Sequence, residues 1–216
     1  MIQIIPAILS NDIKEVGEKL AQVDGVSGKI QIDVIDGVFA NNKTVDPSAL
    51  EFIETDLKLD FHLMTKEPID WIERAVRGMA DRIIGQVEMM TDQVGFVGKV
   101  SEVGLSVGLA IDLPTSISKL DPTILTNLDV VLVMSVPAGF GGQEFDRRAL
   151  AKIKELDEIR IRDDTPFKIC VDGGINTNNI SDVVKAGADE LVIGEGLFAG
   201  NIKENIDSLM KAAYKK

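Results

Sequence analysis

The chain reads as a (β/α)8 TIM barrel, a single α/β domain over residues 1–216, on three observations. Eight short β-branched runs alternate with segments of helical apolar spacing. Several of those runs are almost continuous in Val, Ile and Leu, as strands of a parallel sheet covered on its outer face must be. No Gly-rich turn follows the first run, and eight units without one argue against the runner-up, an open doubly wound sheet. No low-complexity stretch or Pro/Ser-rich linker marks a domain boundary, and 216 residues bury roughly 70% of their unfolded surface, enough for one full core.

In chain order, the expected strands are 2–5, 30–35, 59–63, 82–87, 106–111, 129–134, 167–171 and 190–193. Between them, apolar stripes predict helices. Ile13, Val16, Leu20 and Val23 form the first, and Ile69, Ile72, Val76 and Met79 the second. Leu150, Ile153, Leu156 and Ile159 form a third, and Ile202, Ile206, Leu209, Met210 and Ala213 the last. Asp46-Pro47 is a cap followed by proline at the first helical position, Thr91 and Thr115 are candidate caps, and Gly187 is a helix-terminating glycine.

Lys and Arg number 23 against 35 Asp and Glu, a net charge of −12. That excludes nucleic-acid or membrane partners held by bulk charge, while leaving room for a local anion site built from backbone N–H groups. The single cysteine, Cys170, excludes an internal disulfide framework and a Cys-rich zinc site, and is expected to be an inert buried thiol. With no apolar stretch near 18 residues and no charged leader, a soluble, cytoplasmic chain is expected.

In a barrel of this kind the chemistry sits where the strands end. Strand 2 ends in Asp33-Val34-Ile35-Asp36-Gly37, strand 3 in His62-Leu63-Met64, and strand 7 in Val171-Asp172-Gly173-Gly174. Strand alternation places Gln31, Asp33 and Ile35 on one face. Asp33 and Asp172, from nearly opposite sides of one mouth, suit a two-base reaction in which one carboxylate removes a proton from a stereocentre and the other delivers one to the opposite face. The resulting carbanion needs a cation or hydrogen-bond donors. His62, the only histidine, is either the third ligand of an O/N metal site with Asp33 and Asp172 or an ordinary hydrogen-bonding residue. Gly139, Gly141 and Gly142 follow strand 6, Gly173 and Gly174 follow strand 7, and Gly194 follows strand 8. Three such turns on adjacent strands point to a phosphate cradle rather than to tight turns alone.

At these residues the sequence resembles the ribulose-phosphate 3-epimerase family, from Pro6-Ala7-Ile8-Leu9-Ser10 to about Phe198. The shared motifs are Asp33-Val34-Ile35-Asp36-Gly37, His62-Leu63-Met64, Met134-Ser135-Val136, Gly139-Phe140-Gly141-Gly142-Gln143 and Val171-Asp172-Gly173-Gly174-Ile175. The resemblance implies 1,1-proton transfer at C3 of a pentulose 5-phosphate, interconverting D-ribulose and D-xylulose 5-phosphates. It implies Asp33 and Asp172 as catalytic groups and metal ligands, and His62 as a further ligand. One divalent ion (Zn, Mn or Fe), Met64 and Met134 beside the substrate, and a homo-oligomer follow on the same basis.

Five departures qualify the likeness. Gln31 and Gln86 stand where the family has histidines, one a metal ligand, so Gln31 is a poorer ligand and Gln86 a substrate-side hydrogen-bonding group that does not titrate. Ala7 replaces a serine and Ile35 a methionine. Glu195 replaces the serine of the last phosphate turn: its carboxylate either faces the cradle and repels a phosphate or turns outward, leaving only its backbone N–H to bind.

Two other functions stay open at this level: a related barrel epimerase acting on another sugar or sugar phosphate, and a non-catalytic metabolite-binding paralogue. A Schiff-base aldolase fits less well, because Lys29, Lys58 and Lys168 lie near strand beginnings. Trp71 is expected to pack in the outer layer, and Asn41-Asn42-Lys43 to be loop chemistry rather than a cover for the site.

Overall fold

The computed structural model describes residues 2–215. Eight parallel strands close into one barrel in sequence order: β1 (Gln3–Ile8), β2 (Lys29–Ile35), β3 (Lys58–Met64), β4 (Arg82–Gln86), β5 (Ser106–Ile111), β6 (Val130–Met134), β7 (Lys168–Asp172) and β8 (Glu190–Ile193). β1 runs three residues past its expected end, through Pro6, and so carries Ala7 to the barrel mouth.

Strand alternation divides the apolar residues into two cores. Ile30, Ile32 and Val34 of β2 pack outward against the helices, in a shell with Val16, Leu20, Phe96, Ile153 and Leu209. Ile35, Ile5, Ile84, Leu132, Cys170 and Val192 fill the barrel itself. Gln31 and Asp33 share the inward face with Ile35, as their spacing requires, and are 0% and 7% exposed.

The outer layer holds α1 (Ile13–Val23), α2 (Ile72–Arg77), α3 (Gln93–Glu102), α4 (Ala149–Asp163), α5 (Ile180–Lys185), α6 (Glu195–Phe198) and α7 (Ile202–Ala213). Two of the seven connections between strands lack an α-helix. After β2 the expected helix is a 3₁₀ turn, Pro47–Phe52, capped by Asp46 as foreseen; after β5 there are two, Ile117–Lys119 and Pro122–Asn127. These segments are too short for three α-helical turns, and the tighter 3₁₀ winding uses what length there is.

The second stripe also needs correction. Ile72 and Ala75 are buried, whereas Val76 and Met79 are exposed, because α2 is only six residues long and Met79 lies beyond it at φ 63°. Ile13 of the first stripe is exposed too. Asp92 caps α3 through Gly95 N–H, and Ser116 caps the first 3₁₀ turn, so neither Thr91 nor Thr115 is a cap. Thr91 instead donates to Glu67 Oε2 through both its N–H and its hydroxyl. Gly187 ends α5 at φ 117°, as expected. Trp71 packs on the outer core with the Arg74 guanidinium over its ring, and Cys170 is fully buried, its thiol pushed well up by burial. Among the described residues no helix is long and apolar enough to cross a membrane.

The floor of the barrel is ionic. Arg82 pairs with Asp60 and with Glu190 at its buried end, while Lys29 reaches Asp60 at 3.3 Å and Lys168 reaches Glu190 at 3.0 Å. These lysines lie at strand beginnings, away from the mouth, as expected from sequence.

Candidate active site

At the opposite end the strands open into a cavity of about 530 Å³. Register puts the chemistry there. Asp33 of β2 is level with His62 of β3, and Asp172 of β7 is level with Met134 of β6. Met64 and Met134 line the wall, with Ala7 and Leu9 from the end of β1.

Asp33, His62 and Asp172 converge. His62 Nδ1 lies 3.4 Å from Asp33 Oδ1 and 4.0 Å from Asp172 Oδ2, and one ligand atom from each residue falls within 4.8 Å of the others. His62 is fully buried, and its Nε2 is 2.8 Å from Gln86 Oε1, an acceptor that holds the proton on Nε2 and leaves Nδ1 with a free lone pair. That Nδ1 makes no hydrogen bond in spite of its burial. The set suits a divalent cation: it offers one imidazole nitrogen and two carboxylate oxygens within 4.8 Å of one another. The bond from Gln86 to the far ring nitrogen is the support that ligating histidines commonly have.

Without such a cation the charges disturb one another. Burial and the nearby charge of Asp33 push the Asp172 carboxyl up to about 7, against the pull of His62 and of the hydrogen bond from Gln31. Burial disfavours a charged His62, but contact with Asp33 and the two carboxylate charges outweigh it and raise its pKa.

The two glutamines sit differently from the sequence expectation. Gln86 is wholly buried and touches the His62 ring. Gln31 lies beneath the carboxylates, and its Nε2 donates to Asp33 Oδ1 and to Asp172 Oδ2, each at 2.8 Å. Its donor nitrogen, not an oxygen, faces the would-be cation site.

All the glycine turns gather at one end of the cavity: Gly139, Gly141, Gly142, Gly173, Gly174 and Gly194 line it. The N–H groups of Gly141, Gly142, Gly174 and Gly194 have no acceptor among the described residues. Gly173 and Gly174 have φ of 118° and 61°, and a Cβ at Gly174 would lie 2.3 Å from Phe145 N, so no other residue fits that turn. Glu195 is turned inward. Its Oε1 and Oε2 lie 3.8 and 3.9 Å from where Cβ atoms on Gly141 and Gly142 would be, so its side chain as well as its backbone belongs to the cradle.

Three contributors escaped the sequence reading. Ser135 Oγ lies 2.8 Å from Asp172 O and 2.6 Å from Gly173 O, fixing the turn that carries the second carboxylate, a role that its place between Met134 and Val136 does not reveal. Thr44 Oγ1 donates to Asp33 O at 2.8 Å and accepts from Ile35 N–H at 2.9 Å, and nothing in a loop threonine marks it in sequence. Lys19 of α1 lines the cavity, pairs with Glu15 at 2.7 Å and lies over the Phe198 ring. The Asn41-Asn42-Lys43 loop does more than turn: Asn42 Nδ2 donates to Gly139 O at 2.9 Å and ties the β2 loop to the β6 glycine turn.

Residues 3–198 match the model of the ribulose-phosphate 3 epimerase family. A Bacillus subtilis ribulose-phosphate 3-epimerase is 35% identical over 92% of this chain and 93% of its own, and one from Aquifex aeolicus is 34% identical over 96% of each. Among solved structures, a Pyrococcus furiosus tryptophan synthase α-subunit superposes with a TM-score of 0.70 at 15% identity, covering 96% of this chain and 97% of that one. A 3-hexulose-6-phosphate synthase does so at 0.64 and 16%, covering 98% of both, and these two attest the barrel alone. With the match extending over nearly the whole barrel and through the converging Asp33, His62 and Asp172, this chain belongs to the ribulose-phosphate 3-epimerase family.

Proposed function

We propose that the protein is a sugar-phosphate 3-epimerase that interconverts D-ribulose 5-phosphate and D-xylulose 5-phosphate by moving a proton at C3. The observation that carries this reading is the meeting of Asp33 and Asp172 at one cavity. Two carboxylates from β2 and β7 approach a small ketose from opposite sides. In one direction Asp33 takes the C3 proton and Asp172, whose raised pKa suits it to hold one near neutrality, delivers another to the far face. In the reverse direction the roles exchange. Met64 and Met134 pack the carbon chain and keep the proton from bulk water. Gln86 orients His62, while Ser135 and Thr44 hold the backbones of the two acids.

Asp33, His62 and Asp172 are the residues that would hold a divalent ion, Zn, Mn or Fe. Such an ion supplies Lewis-acid stabilisation of the negative charge that proton removal places on the substrate's oxygens. The free N–H groups of Gly141, Gly142, Gly174 and Gly194 receive the 5-phosphate, and Lys19 adds positive charge at the same end.

The test is C3 proton exchange with solvent deuterium. Asp172→Asn removes the group that takes the C3 proton of the epimer facing it, so exchange of that epimer should fall by at least about a thousandfold, in line with the loss of an acid/base group, while the circular dichroism spectrum stays unchanged. Exchange at the wild-type rate refutes the assignment.

A second reading is favoured by one observation, the inward Glu195: the physiological sugar lacks a phosphate at that position. Turnover of matched ketoses with and without the 5-phosphate separates the two. Cytoplasmic location and homo-oligomerisation complete the proposal. The first rests on the family to which the chain belongs. The second is supported by the exposed Phe52 and Met79 beside Val76, on the face where the 47–52 turn meets α2, and light scattering tests it.

A further inference from the structure

Among the described residues, Gln31 hydrogen-bonds both Asp33 and Asp172 through one side-chain nitrogen. Its side chain is fully buried. Nε2 makes 2.8 Å hydrogen bonds to Asp33 Oδ1 and Asp172 Oδ2, while Oε1, also buried, has no partner. Contacts of that length to two acceptor oxygens require a group with two N–H donors. An amide turned the other way would set Oε1 against Asp33 Oδ1 and leave Nε2 without either acceptor. No lysine or arginine among the described residues pairs with either acid.

We propose that Gln31 is an amide clamp: it holds Asp33 and Asp172 face to face while no ion is bound, and turns over to present Oε1 when one enters. A primary amide suits both states because it carries two donors at one end and an acceptor at the other. A neutral imidazole at this position has one donor and one acceptor on different edges and bridges two carboxylates less well. The clamp makes Gln31 a positioning residue that keeps the acid pair assembled in the metal-free barrel, and lets the same side chain serve the loaded one. The inference rests on Asp33 and Asp172 being the working pair, but it concerns the site before substrate arrives.

The test compares wild type with Gln31→Met, which keeps the volume and removes both donors, in thermal denaturation with chelator and with saturating zinc. In chelator the variant should melt roughly 5–10 °C below wild type, as the loss of two charge-assisted hydrogen bonds implies for a domain of this size. In zinc any remaining gap reports the loss of Oε1 toward the ion, since the cation itself neutralises the carboxylates. A gap absent in chelator overturns the clamp and makes Gln31 an ion ligand only. Should the variant fail to fold, the wild-type Gln31 side-chain amide decides by nuclear magnetic resonance. Its protons should be protected from solvent exchange in chelator and released from those bonds on adding zinc; unprotected protons in chelator refute the proposal. Neither readout uses turnover, so a failed clamp leaves the epimerase reading to its own deuterium-exchange test.

Discussion

At Glu195 the side chain and the main chain work in opposite directions. The turn it belongs to offers free N–H groups to an anion, while its carboxylate stands over Gly141 and Gly142. Two unit charges about 4 Å apart interact by about 4 kcal/mol at an effective dielectric of 20 and by about 1 kcal/mol in bulk water. Glu195 is exposed, so the lower figure is the better guide. Glu195→Ser should therefore lower KM for a ketose 5-phosphate about five- to tenfold and leave KM for the unphosphorylated ketose unchanged, the effect shrinking as salt rises. Steady-state kinetics at two ionic strengths check this; an unaltered KM for the phosphorylated sugar would mean that the carboxylate moves aside when ligand binds.

Among the elements, the starts of β3, β4 and β8 carry the ionic floor. Arg82 bridges Asp60 and Glu190, all three buried, and burial pushes the Asp60 carboxyl up even though Arg82 and Lys29 pull it down. The cluster closes the barrel at the end away from the cavity, where strand interiors would otherwise meet water. Breaking a buried pair on one side strands the other charge, at a cost of about 3–5 kcal/mol. Arg82→Met should destabilise the protein by about that much in urea denaturation, while the double replacement with Asp60→Leu should recover part of the loss. If the single variant is as stable as wild type, the cluster carries no net weight in holding the floor.

Over the whole molecule, the acids at the mouth give stability a pH dependence. With no cation bound, folded Asp172 keeps its proton up to about 7, over a range in which the unfolded chain has already released it. Its contribution is therefore fully present at low pH and is lost as the pH rises through that range, by at most about 1.4 kcal/mol per unit. His62, also raised, has the same sign: its stabilisation is present below the ordinary histidine value and lost above its folded one. Chelator-treated protein should lose stability between about pH 5 and pH 7, and a saturating divalent ion should flatten the slope by favouring ionised carboxylates. Denaturant titrations across that window measure it, and stability that rises with pH in chelator contradicts the charge arrangement at the mouth.

The barrel was legible because its signals are local. Strand runs, the Asp46-Pro47 start and the Gly187 stop each depend on a few neighbouring residues, and alternation alone put Gln31 and Asp33 on the same face, which the structure turns inward. The glycine turns and both aspartates were legible too, since their positions at strand ends follow from the same periodicity. Where the sequence misled, the cause was length: α2 and the 47–52 turn are too short for the stripe or cap pattern to run a full helix. The orientation of polar side chains was decided by the closed barrel alone. Gln86 behind His62, Gln31 bridging two acids that are 139 residues apart in sequence (172 minus 33), and Glu195 facing a turn from another strand all depend on which groups the closed sheet brings within hydrogen-bonding distance. Sequence periodicity fixes which face a residue occupies; only the closure of eight strands fixes what it meets there.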